Sequence, residues 1–289
     1  MKMQAQELAP LDLTQARPFL KWAGGKRHLL AKIHPYLPPS GKRLRYHEPF
    51  LGGGAMFFHL KPPTAFLSDR LQDLTMAYRA VRDDLPELIE LLSSYQRRHE
   101  SQGKAFYYAT RETDSRSLNP VERAARVIYL NKTCYNGVYR VNSAGRFNVP
   151  MGVYKSPRIL DKPTLVADSA ALKGSTIKHL DYTSALERVE RGDFVYLDPP
   201  YFGQFTGYHQ NGFAMGDQER LSEQFRSLHE KGALVLLSDG SDDWITKLYR
   251  GFKQVKLGSQ SVLSGKVKGR GRVEELLVLN YDPQTGETL

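Results

Sequence analysis

Only one cysteine, Cys134, occurs among the 289 residues, which excludes an intrachain disulfide and a thiolate zinc cage. The eight histidines show no ligand spacing such as H-E-x-x-H, so no metal is expected. Long hydrophobic runs are also missing. The longest, such as residues 233–237, fall far short of the roughly 18 to 20 apolar residues that a membrane span requires, and the first twenty residues hold no apolar signal core. The expectation is a chain of the reducing cytoplasm, neither membrane-spanning nor exported. Disordered and fibrous classes are excluded as well, because hydrophobic residues make up 40% and charged residues 25%, near the globular average. At this length one large domain, or a core with a substantial insertion, is expected. Residues 1–16 lack sustained periodicity and read as a loose leader.

Acids are scarce in two places. Lys and Arg number 41 against 31 Asp and Glu, a formal net charge of +10. Residues 17–61 hold nine bases against Glu48 alone, and residues 116–158 hold eight against Glu122 alone. Residues 161–289 are near balance, with sixteen bases and eighteen acids. Such an excess either keeps a solvated face soluble or meets a polyanion, and its confinement to two stretches favours the polyanion.

Several segments read as buried strands ending in special chemistry. Residues 46–51 run into Gly52-Gly53-Gly54, residues 65–69 end at Asp69, and residues 194–197 run into Asp198-Pro199-Pro200-Tyr201. Strand patterns recur at 233–237 and 275–281, and helical patterns at 73–82, 86–98, 121–130 and 218–231. The alternation predicts an α/β fold with a mostly parallel sheet. The stretch 72–160 interrupts it, beginning with helices and ending in the aromatic, basic and loop-rich segment 129–158. It reads as an inserted, mainly helical recognition subdomain on a core formed by 17–71 and 161–289.

Two motifs carry chemistry. In Glu48-Pro49-Phe50-Leu51-Gly52-Gly53-Gly54 a hydrophobic strand stops at consecutive glycines, where backbone can approach a ligand without Cβ interference. A tight packing turn would use the same residues, but Asp69 closes the next strand, where an acid can accept from the hydroxyls of a ribose. Together they point to a nucleoside ligand. Gly24-Gly25-Lys26 lacks the upstream glycine and the hydroxyl residue of a triphosphate-binding loop.

The second motif is Asp198-Pro199-Pro200-Tyr201. Two prolines remove two backbone donors and fix two φ angles, which makes a rigid acceptor array at a strand end. The Asp198 carboxylate and the Pro199 carbonyl can accept both hydrogens of an exocyclic amine, and the Tyr201 ring offers a face to a planar base. An aromatic amine is a poor nucleophile because its lone pair is delocalised. Acceptors on both hydrogens favour a pyramidal nitrogen aimed at an electrophile.

The order of motifs resembles the Dam-type (D12 class) family of DNA adenine-N6 methyltransferases, in which the cofactor motif comes first, the target-recognition region next and the catalytic motif last. The likeness covers nearly everything from 18 to 281. It includes Phe19-Leu20-Lys21-Trp22-Ala23-Gly24-Gly25-Lys26, the 48–54 motif, Leu130-Asn131 with Tyr135-Asn136-Gly137, the segment 145–152 and Asp198-Pro199-Pro200-Tyr201.

The resemblance implies a Rossmann-like methyltransferase core that uses S-adenosylmethionine, yields S-adenosylhomocysteine, and needs no metal. By the same resemblance Trp22, Lys26, Asp69 and Asp198 contact the cofactor, with the turn containing Phe50, Gly52 and Gly54 lying against it. Asp198, Pro199, Pro200 and Tyr201 are the expected catalytic residues. Lys21, Tyr135, Asn136, Val138, Arg140 and Pro150 are the expected DNA-recognition residues, Arg140 reading a guanine and Tyr135 wedging between bases of a flipped-out, GATC-like site. A phosphate contact is the competing role for Arg140. Double-stranded DNA is the implied partner, with a functional but not a stable physical link to a cognate restriction endonuclease. Two departures stand out: Leu71 where the family commonly has Asn, and Val138 where a leucine is frequent. Lys266, Lys268, Arg270 and Arg272, interspersed with glycine, resemble a basic loop that holds backbone phosphates, a merely solvated loop being the alternative, and the glycine- and aromatic-rich residues 202–213 can close over the base. N4-cytosine methylation is the alternative within the same chemistry. A catalytically silent DNA-binding homologue and a protein glutamine methyltransferase are alternatives from other classes.

Overall fold

The computed structural model describes residues 16–39, 44–201, 213–260 and 272–289. Strands β1 (Tyr46–Glu48), β2 (Ala65–Asp69), β3 (Ser175–His179), β4 (Phe194–Leu197), β5 (Leu234–Gly240), β6 (Lys253–Gln260) and β7 (Arg272–Leu279) form one sheet in the order β3-β2-β1-β4-β5-β7-β6. The first five pair in parallel, and β7 runs antiparallel between β5 and β6. The sheet is thus mostly parallel, as its near-continuous apolar strands suggest.

Alternation along the central strands assigns them to two cores. Phe194, Tyr196, Leu234 and Leu236 face one cluster, while Val195, Leu197, Val235 and Leu237 face the other. Both faces being covered explains why β4 is apolar at every position. Each such side chain taken fully out of water stabilises the fold by about 1.5 to 3 kcal/mol.

Helices α1 (Leu30–Ile33) and α2 (Ala55–Leu60) flank β1, and α3 (Gln72–Asp83) follows β2. Then come α4 (Leu85–Gln102), α5 (Lys104–Glu112) and α6 (Pro120–Thr133), which make the 72–160 stretch mainly helical. The start of α6 is written locally: the Asn119 side chain accepts from the N–H groups of Val121 and Glu122, and Glu122 accepts from the Asn119 N–H at 2.9 Å. Pro120 sits where a helix needs no donor. The remaining helices are α7 (Lys162–Leu172), α8 (Tyr182–Leu186), α9 (Met215–Lys231) and α10 (Asp243–Leu248). Leu221 and Phe225 of α9 cover the second core. The first core continues without a break from Leu67 and Leu277 of the sheet into Tyr78, Leu88, Tyr107 and Tyr129 of α3 to α6.

Some expectations need correction. The strand expected over 46–51 ends at Glu48, because Pro49 carries no N–H and the chain bends there, although the Leu51 N–H still reaches the Ser68 carbonyl at 3.0 Å. Strands β3 and β6 escape the sequence pattern. Both are edge strands, and β3 holds a single large apolar residue, Ile177, among polar neighbours. Among the described residues no helix is long and apolar enough to cross a membrane. The leader falls outside the described residues except at its last position, Ala16, which is buried.

Candidate active site

From β1 the sheet extends outward to β2 and β3, and from its neighbour β4 it extends the other way, so the loops leaving these strands diverge and open a crevice. The crevice holds a cavity of about 400 Å³. Trp22, Lys26, Phe50, Gly52, Gly54, Asp69, Asp198, Pro199, Pro200 and Tyr201 all line it, so every expected cofactor and catalytic residue meets in one place. Val138 lines it too, from the recognition segment.

The glycine turn is shaped by two positions with left-handed backbone, Gly52 at φ 47° and Gly54 at φ 64°. A Cβ on Gly52 would lie 2.9 Å from Cδ1 of Trp22, and one on Gly54 would lie 2.7 Å from the Tyr78 hydroxyl. Neither position accepts a side chain. Asp69 holds the turn from the next strand: Oδ2 accepts from the Gly52 N–H at 3.0 Å and Oδ1 from the Leu71 N–H at 2.9 Å. Leu71, the departure from the family pattern, therefore supports Asp69 through its backbone. Burial pushes the Asp69 carboxyl up, against the pull of these two bonds. Phe50 stacks on Tyr182 with ring centroids 5.2 Å apart.

At the tip of β4, Asp198 Oδ1 takes a hydrogen bond from the Lys26 ammonium and lies 3.4 Å from the Ser238 hydroxyl, which can donate to it. Lys26 is buried. Its Nζ lies 3.4 Å from Glu275 Oε1 and 4.6 Å from the centre of the Tyr201 ring, and the Tyr201 hydroxyl donates to Glu275 Oε2. Burial alone would lower the Lys26 pKa, but the carboxylates of Asp198 and Glu275 outweigh it and hold the ammonium well above its usual value. Burial pushes both carboxyls up, and Lys26 opposes the shift in each. One cation among two carboxylates leaves an excess of negative charge.

The recognition segment is an irregular hairpin closed by the bridges Cys134 to Met151 and Val141 to Phe147. Tyr135 is 53% exposed at its entry, and Asn136 adopts φ 53°, a conformation Asn tolerates better than most residues. The Tyr135 N–H donates to the Pro150 carbonyl at 2.9 Å. Exposed Arg140 donates from Nε to Asn148 Oδ1 at 2.8 Å. Behind the hairpin, Asp73 of α3 accepts from the Tyr139 hydroxyl at 2.6 Å and from Arg123. Lys21, Tyr135, Asn136, Arg140 and Pro150 are not part of the cavity lining. Not all of the basic residues counted in the sequence face solvent: Lys26 and Arg126 are buried, Arg126 donating to the carbonyls of Thr110 and Arg111. Residues 202–212 of the expected closing loop lie outside the described residues, as do Lys266, Lys268 and Arg270.

Sequence reasoning did not bring forward Glu275 or Tyr154. Glu275 is a buried acid next to the apolar run 276–279 of β7, and that mismatch was its only signal. Tyr154, whose ring lies 3.9 Å from Lys21 Nζ, gave none.

The chain is also similar to known proteins. Residues 22–263 match the model of the D12 class N6 adenine-specific DNA methyltransferase family. A type II methyltransferase, M1.LlaDCHI of Lactococcus lactis subsp. cremoris, is 41% identical over 92% of this chain and 95% of its own length. M.MjaIII of Methanocaldococcus jannaschii, another type II methyltransferase, is 40% identical over 92% of this chain and 100% of its own. The DNA adenine methylase of Escherichia coli K12 is 33% identical over 92% and 96%. With a family match over most of its length and relatives aligned nearly end to end, the chain belongs to the D12 class of N6 adenine-specific DNA methyltransferases.

Proposed function

We propose that this adenine-specific DNA methyltransferase takes its methyl group from S-adenosylmethionine and delivers it to a flipped-out adenine at GATC or a related site. Residues 17–71 and 161–289 act as the catalytic core, and 72–160 as the part that reads DNA. The observation that carries the reading is Asp198 on a rigid Pro-Pro strand end, lining the same cavity as the glycine turn and Asp69. The donor set fits the cofactor. The turn lets a nucleoside approach backbone closely, Asp69 retains lone pairs for ribose hydroxyls beyond its two backbone bonds, and the excess carboxylate charge suits a sulfonium.

When bound, S-adenosylmethionine supplies a methyl carbon on positively charged sulfur, and that carbon–sulfur bond breaks as the carbon–nitrogen bond to N6 forms. Asp198 and the Pro199 carbonyl accept the two amine hydrogens and aim the nitrogen lone pair. The surplus proton on nitrogen passes to the Asp198 carboxylate, whose proton affinity burial has raised. Tyr201 supplies a stacking face for the base, and Trp22 and Phe50 line the cofactor side. N6 inside a duplex cannot meet the cavity, so the target nucleotide must leave the stack. Exposed Tyr135 fills the gap, Asn136 and Val138 follow it into the DNA, and Arg140, Pro150 and Lys21 contact the flanking bases.

Single-molecule sequencing of unmethylated DNA after incubation with protein and cofactor tests the reading. N6-methyladenine within GATC or a close variant is expected. N4-methylcytosine, or no modification at all, would overturn it. A 2-aminopurine placed at the target position should brighten on binding if the base is flipped.

A further inference from the structure

Glu275 has an unfinished hydrogen-bond set. Its side chain is 1% exposed, Oε2 receives the Tyr201 hydroxyl, and Oε1 has no hydrogen-bond partner among the described residues. A buried carboxylate oxygen left without a donor is costly and calls for a reason. One donor stands within reach: Lys26 Nζ, 3.4 Å away and bonded to Asp198 Oδ1. The ammonium therefore stands between two carboxylates, hydrogen-bonded to Asp198 and a short side-chain movement from a full hydrogen bond to Glu275.

We propose that Glu275 is a positioning residue that draws Lys26 off Asp198 when a target base enters, so that Asp198 is free to accept from the base's amino group. The inference rests on the reading of Asp198 as the amine acceptor. An ammonium on Asp198 weakens that carboxylate as an acceptor for the amine, and it places positive charge beside a nitrogen that becomes positive during transfer. Seated on Glu275, the same ammonium stays buried and paired while both obstacles are removed. The bond from Tyr201 fixes the receiving carboxylate, and the attraction of the ammonium for the Tyr201 ring, 4.6 Å from Nζ, eases the passage.

The test begins with labelled methyl transfer to DNA by the parent protein; no incorporation there defeats the reading of Asp198, and the inference falls with it. With an active parent, Glu275→Gln keeps the shape and an acceptor for Tyr201 but removes the charge. Its kcat should fall about 10- to 100-fold, with KM for DNA and for the methyl donor each within about two-fold of the parent. Glu275→Asp should recover part of the loss. In a Lys26→Met background the Glu275→Gln change should cost nothing further, because no cation remains to be moved. Full kcat in Glu275→Gln, or an equal loss in both backgrounds, overturns the inference. If Glu275→Gln does not fold, a crystal structure of the parent with DNA and a nonreactive cofactor analogue decides: Lys26 on Glu275 supports the transfer, and Lys26 still on Asp198 beside a bound base refutes it.

Discussion

Asn131 clasps Lys21 from both sides: its Oδ1 accepts from the Lys21 N–H at 2.8 Å and its Nδ2 donates to the Lys21 carbonyl at 2.7 Å. The same Nδ2 donates to the carbonyl of Gly137 at 3.0 Å. One buried amide at the end of α6 thus ties the segment before the cofactor turn to the recognition hairpin. Replacing it with alanine strands three backbone groups and should destabilise the protein by about 2 kcal/mol. DNA affinity of Asn131→Ala should drop more than cofactor affinity if, as proposed, Lys21 and the hairpin that holds Gly137 face DNA. Thermal melts and parallel titrations check both, and unchanged melting would show the clasp to be dispensable.

If Asp198 is the amine acceptor, Asp198→Ala should lose methylation by about 100-fold or more while the fold survives, since Glu275 remains to pair the buried Lys26 ammonium. Residual activity within ten-fold of the parent, by tritium incorporation, would assign the amine contact elsewhere.

The acid limb of the parent's kcat profile should reflect the same group. Burial raises the Asp198 pKa despite Lys26, so on acidification the carboxylate takes up its proton sooner than an ordinary aspartate. Activity should therefore decline at a pH above the usual aspartate value of about 3.9. A profile flat down to that value would contradict the assignment.

Asp168 offers a stability test away from the chemistry. It is fully buried in α7, where Oδ1 accepts from the Arg17 N–H at 2.9 Å and Oδ2 has no hydrogen-bond partner among the described residues. Burial pushes its pKa to about 8. The folded state therefore holds a proton that the unfolded chain releases near pH 4, so this group makes stability fall as pH rises from about 4 to about 8, by at most about 1.4 kcal/mol per unit. Asp168→Asn keeps the acceptor for Arg17 and removes that slope. Its melting temperature should gain on the parent at pH 8 relative to pH 5, and an equal offset at both pH values would show that Asp168 does not titrate in this range.

Arg140→Ala should weaken binding by about 1 to 3 kcal/mol and relax preference at one base pair if the guanidinium reads an edge. A uniform loss across sequences, with a shallower salt dependence, would instead make it a phosphate contact. Competition binding against single-base variants of the site separates the two.

What was legible in the sequence was legible because it is local. Glycines and an Asp-Pro-Pro step each dictate backbone over a few residues, so the glycine turn after β1 and the end of β4 could be read, while β1 itself stops three residues short of its expected end. The two long-range facts could not. Lys26 meets Asp198 across 172 positions of chain. Glu275 arrives only because β7 slots antiparallel between β5 and β6, a register that no short window encodes. Edge strands such as β3, polar on one side, give too weak an alternation to stand out from loop.

Because the hydrophobic interior passes unbroken from the sheet into α3 to α6, the part proposed to read DNA cannot swing as a separate body without exposing that interior. On that reading the spacing between the letters recognised and the atom modified is set like a fixed caliper, and the double helix, as the softer partner, would do the bending.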